Sequence, residues 1–393
     1  MSDVDNSRYN ARGVSASKSE VHDAIKHMDK GLYPNAFCKV LPDLVAGDSD
    51  YANIMHADTA GTKTSLAYLY WKETGDLSVW EGIVQDSIVM NIDDMACVGC
   101  VEDIILSSTV GRNKSVIPAE VIKEVIGGTS AFIKKMKEQD VSLTLAGGET
   151  ADVGDIVRTI DVGITAFGRL PRAKVIEMNA QDGDVIVGLA SYGQASYESS
   201  YNGGMGSNGL TSARHDVLDK QYMTKYPESF DPAIDQSLIY CGSRSLTETI
   251  DIDGVGEMTV GQLILSPTRT YIPVIKRILT KHFDQVNGLI HCTGGAQTKV
   301  MKFVQNRRVI KDNMLPIPPL FQLIEEESGT SRKEMYQVFN MGHRLEVYTD
   351  AETAESIIAI ANSYNIDAQV IGRVEAAEQN ELIITDDKDS YTY

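Results

Sequence analysis

The sequence predicts an α/β chain, in the broad sense that includes α+β, organised as two domains. Three observations predict it. The chain has 393 residues, more than one core usually organises. Short apolar runs of strand length alternate with longer segments of helical period in both halves. A turn-rich break, Gly168-Arg169-Leu170-Pro171, separates the halves. The boundary therefore falls after Leu170, giving domains 1–170 and 171–393.

The elements follow in order. Residues 1–50 read as a loose start and then a helix, with Val21, Ile25 and Met28 at helical spacing. Tyr51 to Ala57 reads as a short strand with Asp58 at its end. Val79 to Val98 reads as a helix whose stripe is Trp80, Ile83, Val84, Ile88, Ile92 and Met95, stopped by Gly99. Val101 to Val110 is a strand. Ile117 to Gln139 is a helix with Pro118 in its first turn. Val141 to Ala146 is a strand running into Gly147-Gly148, and Arg158 to Phe167 alternates like another. Past the boundary, the turn Gln181-Asp182-Gly183-Asp184 feeds an apolar strand, Val185 to Ala190. Strand and helix patterns alternate to the end. Val304 to Pro319 reads as an irregular surface excursion, and the polar tail from Asp386 reads as disordered.

Composition excludes several roles. Hydrophobic residues make up 42%, enough for packed cores. The net charge of −19 makes nucleic acid a poor partner, and any anionic substrate must meet a local positive site. No apolar run approaches the ~18 residues that span a bilayer, and the polar, acidic start does not resemble a signal peptide. Five cysteines, at 38, 97, 100, 241 and 292, are sparse and odd in number. They favour a reducing cytoplasm over a disulfide framework. Cys97-Val98-Gly99-Cys100 has CxxC spacing but no second pair for zinc, and it ends a helix where a redox pair would begin one. Buried thiols are the simpler reading.

Chemistry concentrates in glycine turns and carboxylates. Asp58-Thr59-Ala60-Gly61-Thr62-Lys63 follows a strand and reads either as a phosphate loop or as an ordinary turn with a surface lysine. Its glycine spacing is not that of a Walker loop. Asp86, Asp93 and Asp94 lie 7 and 8 residues apart on one helix face. Acids so placed either hold a cation or form a solvated face. Gly147-Gly148-Glu149-Thr150 ends a strand, where glycines let a backbone crowd a ligand and Glu149 can reach a metal. Ser207-Asn208-Gly209 leads into a helix, and a helix start suits an anion. His291-Cys292-Thr293-Gly294-Gly295 repeats the strand–turn–helix pattern, and Phe339-Asn340-Met341-Gly342 is a further turn whose asparagine has a structural reading.

These segments, in this order, resemble the aminoimidazole ribonucleotide synthetase family, from about Arg12 to Val374. Asp58 to Lys63 is similar to the family's Asp-Gly-Val-Gly-Thr-Lys. Asp93-Asp94 stands for its Asn-Asp, and Asp86 also matches. Gly147 to Ala151, Ser207-Asn208-Gly209, Pro267-Thr268-Arg269, His291 with Thr293-Gly294-Gly295, Met335-Tyr336 and Phe339 to Gly342 match in turn. The resemblance implies a two-domain fold of mixed sheets with flanking helices, dimerising through the N-terminal sheet with ATP near that interface. It implies an ATP-dependent cyclo-ligase of de novo purine biosynthesis, closing formylglycinamidine ribonucleotide to aminoimidazole ribonucleotide with release of ADP and phosphate. Asp58, Lys63 and His291 would be catalytic. Asp58, Gly61, Thr62, Lys63, Asp86, Asp93, Gly147, Gly148 and Thr150 would hold ATP, and Asp58, Asp94 and Glu149 would hold Mg2+. Ser207, Asn208, Gly209, Thr293, Gly294 and Gly295 would bind the ribonucleotide. The implied partners are this small molecule and a second copy of the chain, with no nucleic acid or membrane.

The chain departs from the family at several places. Leu32 to Phe37 replaces a glycine-rich segment, Gly206 stands where the family has His before Ser-Asn-Gly, Tyr197 to Met205 is inserted, and His343-Arg344 replaces small residues. Two alternatives remain open on the sequence: another ATP-dependent enzyme of the superfamily, and a non-catalytic ATP-binding homologue.

Overall fold

In the computed structural model, the residues described are 11–14, 24 and 26–393. The expected helix through Val21 and Ile25 therefore lies outside the described residues. The first sheet contains β1 (Val40–Pro42), β2 (Tyr51–Thr59), β3 (Ile104–Arg112), β4 (Leu143–Asp152) and β5 (Ile160–Pro171). Its order is β1-β2-β5-β3-β4, with only β3 and β4 parallel. Three helices accompany it: α1 (Lys63–Thr74), α2 (Val79–Ala96) and α3 (Ala119–Glu138).

Helix α2 organises this half. It packs against β2, β5, α1 and α3. Its expected apolar stripe is fully buried, but so are Asp86, Ser87, Asn91 and Asp93 on its other sides. A helix surrounded by protein shows no polar outer face. Gly99 ends the segment with φ +92, where a Cβ would lie 2.1 Å from the Lys174 carbonyl oxygen.

Strand β4 does not stop at Ala146 as expected. It runs through Gly147-Gly148 to Asp152 along an exposed sheet edge. The reason is a register shift opposite, between Leu106 and Ser108. A Cβ on Gly148 would lie 2.3 Å from the Ser108 carbonyl oxygen, so the glycine lets the bulged strands close.

The second sheet has seven strands, ordered β14-β13-β10-β12-β6-β11-β9. They are β6 (Val185–Ala190), β9 (Val286–His291), β10 (Arg307–Lys311), β11 (His343–Thr349), β12 (Ala368–Ala376), β13 (Glu381–Thr385) and β14 (Ser390–Thr392). A hairpin, β7 (Thr249–Ile252) and β8 (Gly256–Thr259), stands apart. The helices of this half are α4 (Leu210–Val217), α5 (Gln221–Lys225), α6 (Val260–Ile264), α7 (Ile272–His282), α8 (Pro319–Ser328), α9 (Arg332–Val338) and α10 (Ala351–Ser363). Helix α10 packs on β6, β12 and α7, and α8 packs on α4.

Two expectations fail here. The stretch 304–319 contains β10, an internal strand whose polar sequence hides it. Its Lys311 is buried because Glu346 on β11 accepts a hydrogen bond from it. The tail from Asp386 returns as β14 and pairs Tyr391 with Ile384.

The two sheets are joined through α2. Arg12, from the start of the chain, also reaches the second half, donating to both carboxylate oxygens of Asp216 on α4 at 2.8 Å.

Candidate active site

The acids of α2 divide into two groups. Asp86 is fully buried. Its Oδ1 accepts from Lys63 Nζ at 2.8 Å, from the Thr268 amide at 2.7 Å and from the Thr268 hydroxyl at 2.5 Å. Two turns further on, Asp93 accepts from the Thr270 hydroxyl at 2.5 Å and the Tyr271 amide at 2.8 Å. Burial pushes the Asp93 carboxyl up to about 7, against those two donors. Both acids therefore clamp the segment 268–271 of the second half onto α2. Neither carboxylate lies on a solvated face, one of the two readings the sequence left open.

Lys63 belongs to the same cluster. It was expected to neutralise ATP phosphate, yet its side chain is fully buried and donates to Asp86 and to the Ser266 carbonyl oxygen at 2.6 Å. Burial lowers its pKa, and Asp86 opposes that shift. The ammonium is thus held between Asp86 and the Ser266 carbonyl oxygen at the seam of the two halves. Asp86 and Asp93, assigned to the nucleotide by resemblance, are likewise interior.

Asp94 has a different setting. Its Oδ1 lies 2.7 Å from His291 Nδ1, and its Oδ2 lies 3.6 Å from His56 Nε2. His56 Nδ1 contacts Asn91 Oδ1 at 2.9 Å. Burial pushes the Asp94 carboxyl up, but Lys299, His291 and His56 outweigh it and hold it below its ordinary value. Burial lowers His291 to about 4, against the pull of Asp94. His291 is thus neutral at physiological pH, with Asp94 accepting from its Nδ1–H. Its Nε2 is buried, has no hydrogen-bond partner and presents a lone pair.

Three of the glycine turns meet one another, and one of them, 293–295, follows His291 in the chain. The Thr62 hydroxyl meets the Thr211 hydroxyl at 2.9 Å, so the turn holding Gly61 touches the start of α4. Gly209 has φ +82 there, and its missing Cβ admits the Phe339 ring. A Cβ on Gly294 would lie 3.7 Å from Asn208 Nδ2, so the turns Ser207-Asn208-Gly209 and Thr293-Gly294-Gly295 face each other. Lys299 donates to the Thr293 hydroxyl, and its ammonium lies 4.3 Å from the centre of the Phe37 ring. Asn340 is structural: it accepts from Ser191 Oγ at 2.7 Å and donates to the Gly204 carbonyl oxygen at 2.9 Å.

One subunit does not assemble every expected residue. Asp58 is half-buried on β2, and its Oδ1 accepts from the Thr59 amide at 2.8 Å. Thr59 stands in register with Gly163, Thr109 and Glu149. Glu149 is therefore three strand spacings, ~14 Å, from that end of β2. Gly147, Gly148 and Thr150 share its exposed edge. Among the described residues, the group of three ligand atoms within 4.8 Å of one another is Cys292, His343 and Glu346. Asp58, Asp94 and Glu149 thus do not fit a single Mg2+ within one chain.

Two members of the site escaped the sequence reading. His56 lies two residues before Asp58, and strand alternation puts both on the α2 side, a signal that was available. Lys299, six residues beyond Thr293, carries no spacing signal. The cysteines match their plain reading: Cys97 and Cys100 are buried, and burial raises both thiols, Cys100 to about 12.

A mixed sheet carrying a buried central helix, and a second sheet docked on that helix with glycine turns meeting at the seam, define a two-domain α/β class of protein. The comparisons agree. The model for the AIR synthase related protein N-terminal domain matches residues 38–170, and that for the C-terminal domain matches 181–385. The chain belongs to the AIR synthase related family. Among its relatives, the phosphoribosylformylglycinamidine cyclo-ligase of Methanocaldococcus jannaschii is 30% identical, covering 83% of this chain and 79% of that one. That of Carboxydothermus hydrogenoformans is 26% identical, covering 95% of this chain and 98% of that one. Solved structures share the fold. Thermotoga maritima PurL complexed with FGAR superposes with a TM-score of 0.55 at 13% identity, covering 100% of this chain and 52% of that one. AaThiL complexed with AMPPCP and TMP gives 0.53 at 13% identity, covering 96% of each chain.

Proposed function

We propose that the chain is an ATP-dependent cyclo-ligase that closes formylglycinamidine ribonucleotide to aminoimidazole ribonucleotide in the cytoplasm. The observation that carries this reading is the meeting of the turns at 61–62, 207–211 and 293–295 beside the Asp94–His291 pair. The names of the relatives support it.

The formyl oxygen of the substrate attacks the γ-phosphorus of ATP, and the bond to the ADP oxygen breaks. The activated carbon is then attacked by an amidine nitrogen, phosphate leaves, and the nitrogen loses a proton. The chain's part is positioning and charge neutralisation. Lys299, half-exposed beside Thr293, takes the phosphate-neutralising role that Lys63 is too deeply buried to fill. His291 Nε2 accepts the proton, and Asp94 orients the imidazole and stabilises the imidazolium. The turns 207–209 and 293–295 hold the ribonucleotide. In this reading residues 1–170 supply the nucleotide side and dimer contacts, and residues 171–393 supply the substrate side. Mg2+ enters with the nucleotide phosphates, and no step is assigned to it. A second copy of the chain covers the outer face of the first sheet.

The test is single-turnover conversion of formylglycinamidine ribonucleotide by the full chain with ATP and Mg2+. Aminoimidazole product and ADP in equal amounts are expected. ADP without the imidazole would assign the chain to another acceptor, and absence of both would leave a non-catalytic nucleotide binder.

A further inference from the structure

Strand β10 carries a buried charge that the proposed reaction does not use. Lys311 and its partner Glu346 on β11 are both fully buried. Lys311 Nζ donates to Glu346 Oε1. The same carboxylate accepts from His343 Nε2 at 3.1 Å, from Cys292 Sγ at 3.5 Å and from the Tyr348 hydroxyl at 2.7 Å. Cys292, His343 and Glu346 are ligand types for a metal, yet the cation they meet is the ammonium of Lys311. Burial pushes the Glu346 carboxyl up, but Lys311 and His343 outweigh it and hold it at about 2, so the carboxylate is ionised.

A buried ion pair is weak evidence for stability, because apolar residues of the same volume often serve as well. The remaining bonds of this pair show what it holds. Lys311 Nζ also donates to the Gln297 carbonyl oxygen at 2.8 Å and to Gln297 Oε1 at 3.0 Å. Gln297 Nε2 donates to the carbonyl oxygens of Asn340 at 2.6 Å and His343 at 3.0 Å. Gln297 is itself fully buried, so its side-chain amide is spent on β10 and on the turn that leads into β11.

Gln297 sits where such a hold is needed. It is the second residue of the 3-10 helix Ala296–Lys302, between the turn Thr293-Gly294-Gly295 and Lys299. Gly295 has φ +91 and Ala296 has φ +44. Alanine rarely adopts the left-handed region, and such a residue persists only where its surroundings impose it. The turn closes on itself through the Ala296 amide, which donates to the Thr293 carbonyl oxygen at 2.7 Å. Gln297 then ties it to the second sheet. Two residues further on, Lys299 donates back to the Thr293 hydroxyl.

We propose that Lys311 and Glu346 are positioning residues: through Gln297 they hold the 293–299 turn in its strained form, and so set Lys299 to meet the nucleotide phosphate. What Lys299 touches is taken from the cyclo-ligase reading; the hold on the turn is not.

The experiment is a double-variant cycle on the full chain. Wild type, Gln297→Met, Lys299→Met and the doubly substituted protein are titrated calorimetrically with AMPPCP and Mg2+. Hydrogen exchange of the 293–299 segment is read by mass spectrometry on the same four proteins. Methionine nearly fills the glutamine's volume and leaves the Lys311–Glu346 pair in place. Lys299→Met is expected to weaken AMPPCP about tenfold, the loss of one charge-assisted contact. Gln297→Met should approach that loss and speed exchange across 293–299 about tenfold. The double variant should bind no more weakly than Lys299→Met alone, because Gln297 acts through that ammonium. A merely structural role would add its loss in both backgrounds. Lys311→Met combined with Glu346→Gln removes both charges together, should reproduce Gln297→Met, and serves should that variant fail to fold. Unchanged exchange across 293–299, additive losses, wild-type affinity in Lys299→Met, or no AMPPCP binding by the wild type overturns the proposal. No titration involves turnover. The expected cycle in a chain that forms no imidazole would sink the cyclo-ligase reading alone, and additive losses in a chain that forms it would sink the positioning role alone.

Discussion

At the residue scale, the proposed reading exchanges the roles that their sequence settings suggest for two lysines. Lys63 sits in the motif but is fully buried against Asp86, while Lys299 has no motif and stands beside Thr293 at the seam. Removing one partner of a buried pair leaves an uncompensated charge, a loss of about 3–5 kcal/mol. Lys63→Met should therefore lower the free energy of unfolding in urea by that order. An unchanged urea midpoint with a raised KM for ATP would return Lys63 to the phosphate. Lys299→Met should do the reverse: little change in the urea midpoint, and ATP turnover reduced at least about tenfold, the scale of one charge-assisted contact. Equal turnover in Lys299→Met and wild type would remove it from the site.

At the element scale, α2 is the piece on which both halves are assembled, and Asp93 gives it a pH signature. Its folded carboxyl is raised from 3.8 to about 7, chiefly by burial. Between those values the folded state holds more protons than the unfolded one, so this group's contribution to stability falls as pH rises across the window. His291, lowered by burial to about 4, acts oppositely: its contribution rises with pH from there to its ordinary value near 6.5. Wild-type stability mixes the two. The informative quantity is the difference between Asp93→Asn and wild type, measured by urea unfolding at successive pH values. It should move in favour of the variant as pH rises from about 4 to 7. A difference independent of pH would show that Asp93 does not titrate there. The helix itself was legible, because Trp80 to Met95 and Gly99 are local signals. Its acids were not. The Asp86 contact to Thr268 spans 182 residues, and the Asp93 contact to Tyr271 spans 178. No spacing on one helix reveals a partner that distant. Strand β10 was missed for a related reason: Lys311 looks like a surface residue until Glu346 is placed beside it. Conversely, the glycine turns at 207–209 and 293–295 were legible, since strand, glycine and helix start follow one another in sequence.

At the scale of the whole molecule, the first sheet has a face that its own helices do not cover. Met55 stands opposite Phe167, and Phe167 opposite Ile105. Met55 is 65% exposed and Ile105 43%, so the row forms an apolar stripe across three strands, beside the open edge of β4. An exposed stripe of this kind next to an unpaired edge marks an association surface, and the second copy of the chain proposed above would cover it. The substitution that tests this is Ile105→Glu. In an isolated chain the new carboxylate points to solvent, and surface changes of that kind alter folding by ~0.5 kcal/mol or less. In a dimer closed over the stripe the same carboxylate must lose its water. Sedimentation equilibrium should therefore find the wild type dimeric and Ile105→Glu monomeric, with matching circular dichroism and urea midpoints. A wild-type monomer, or a variant that stays dimeric, would place the interface elsewhere or remove it. Activity adds a second readout, because one chain leaves Gly147, Gly148, Glu149 and Thr150 on the β4 edge, ~14 Å from the end of β2. A folded monomer that still turned over ATP at the wild-type rate would show those edge residues to be dispensable. Loss of turnover with the fold intact would place the nucleotide at the junction of two copies.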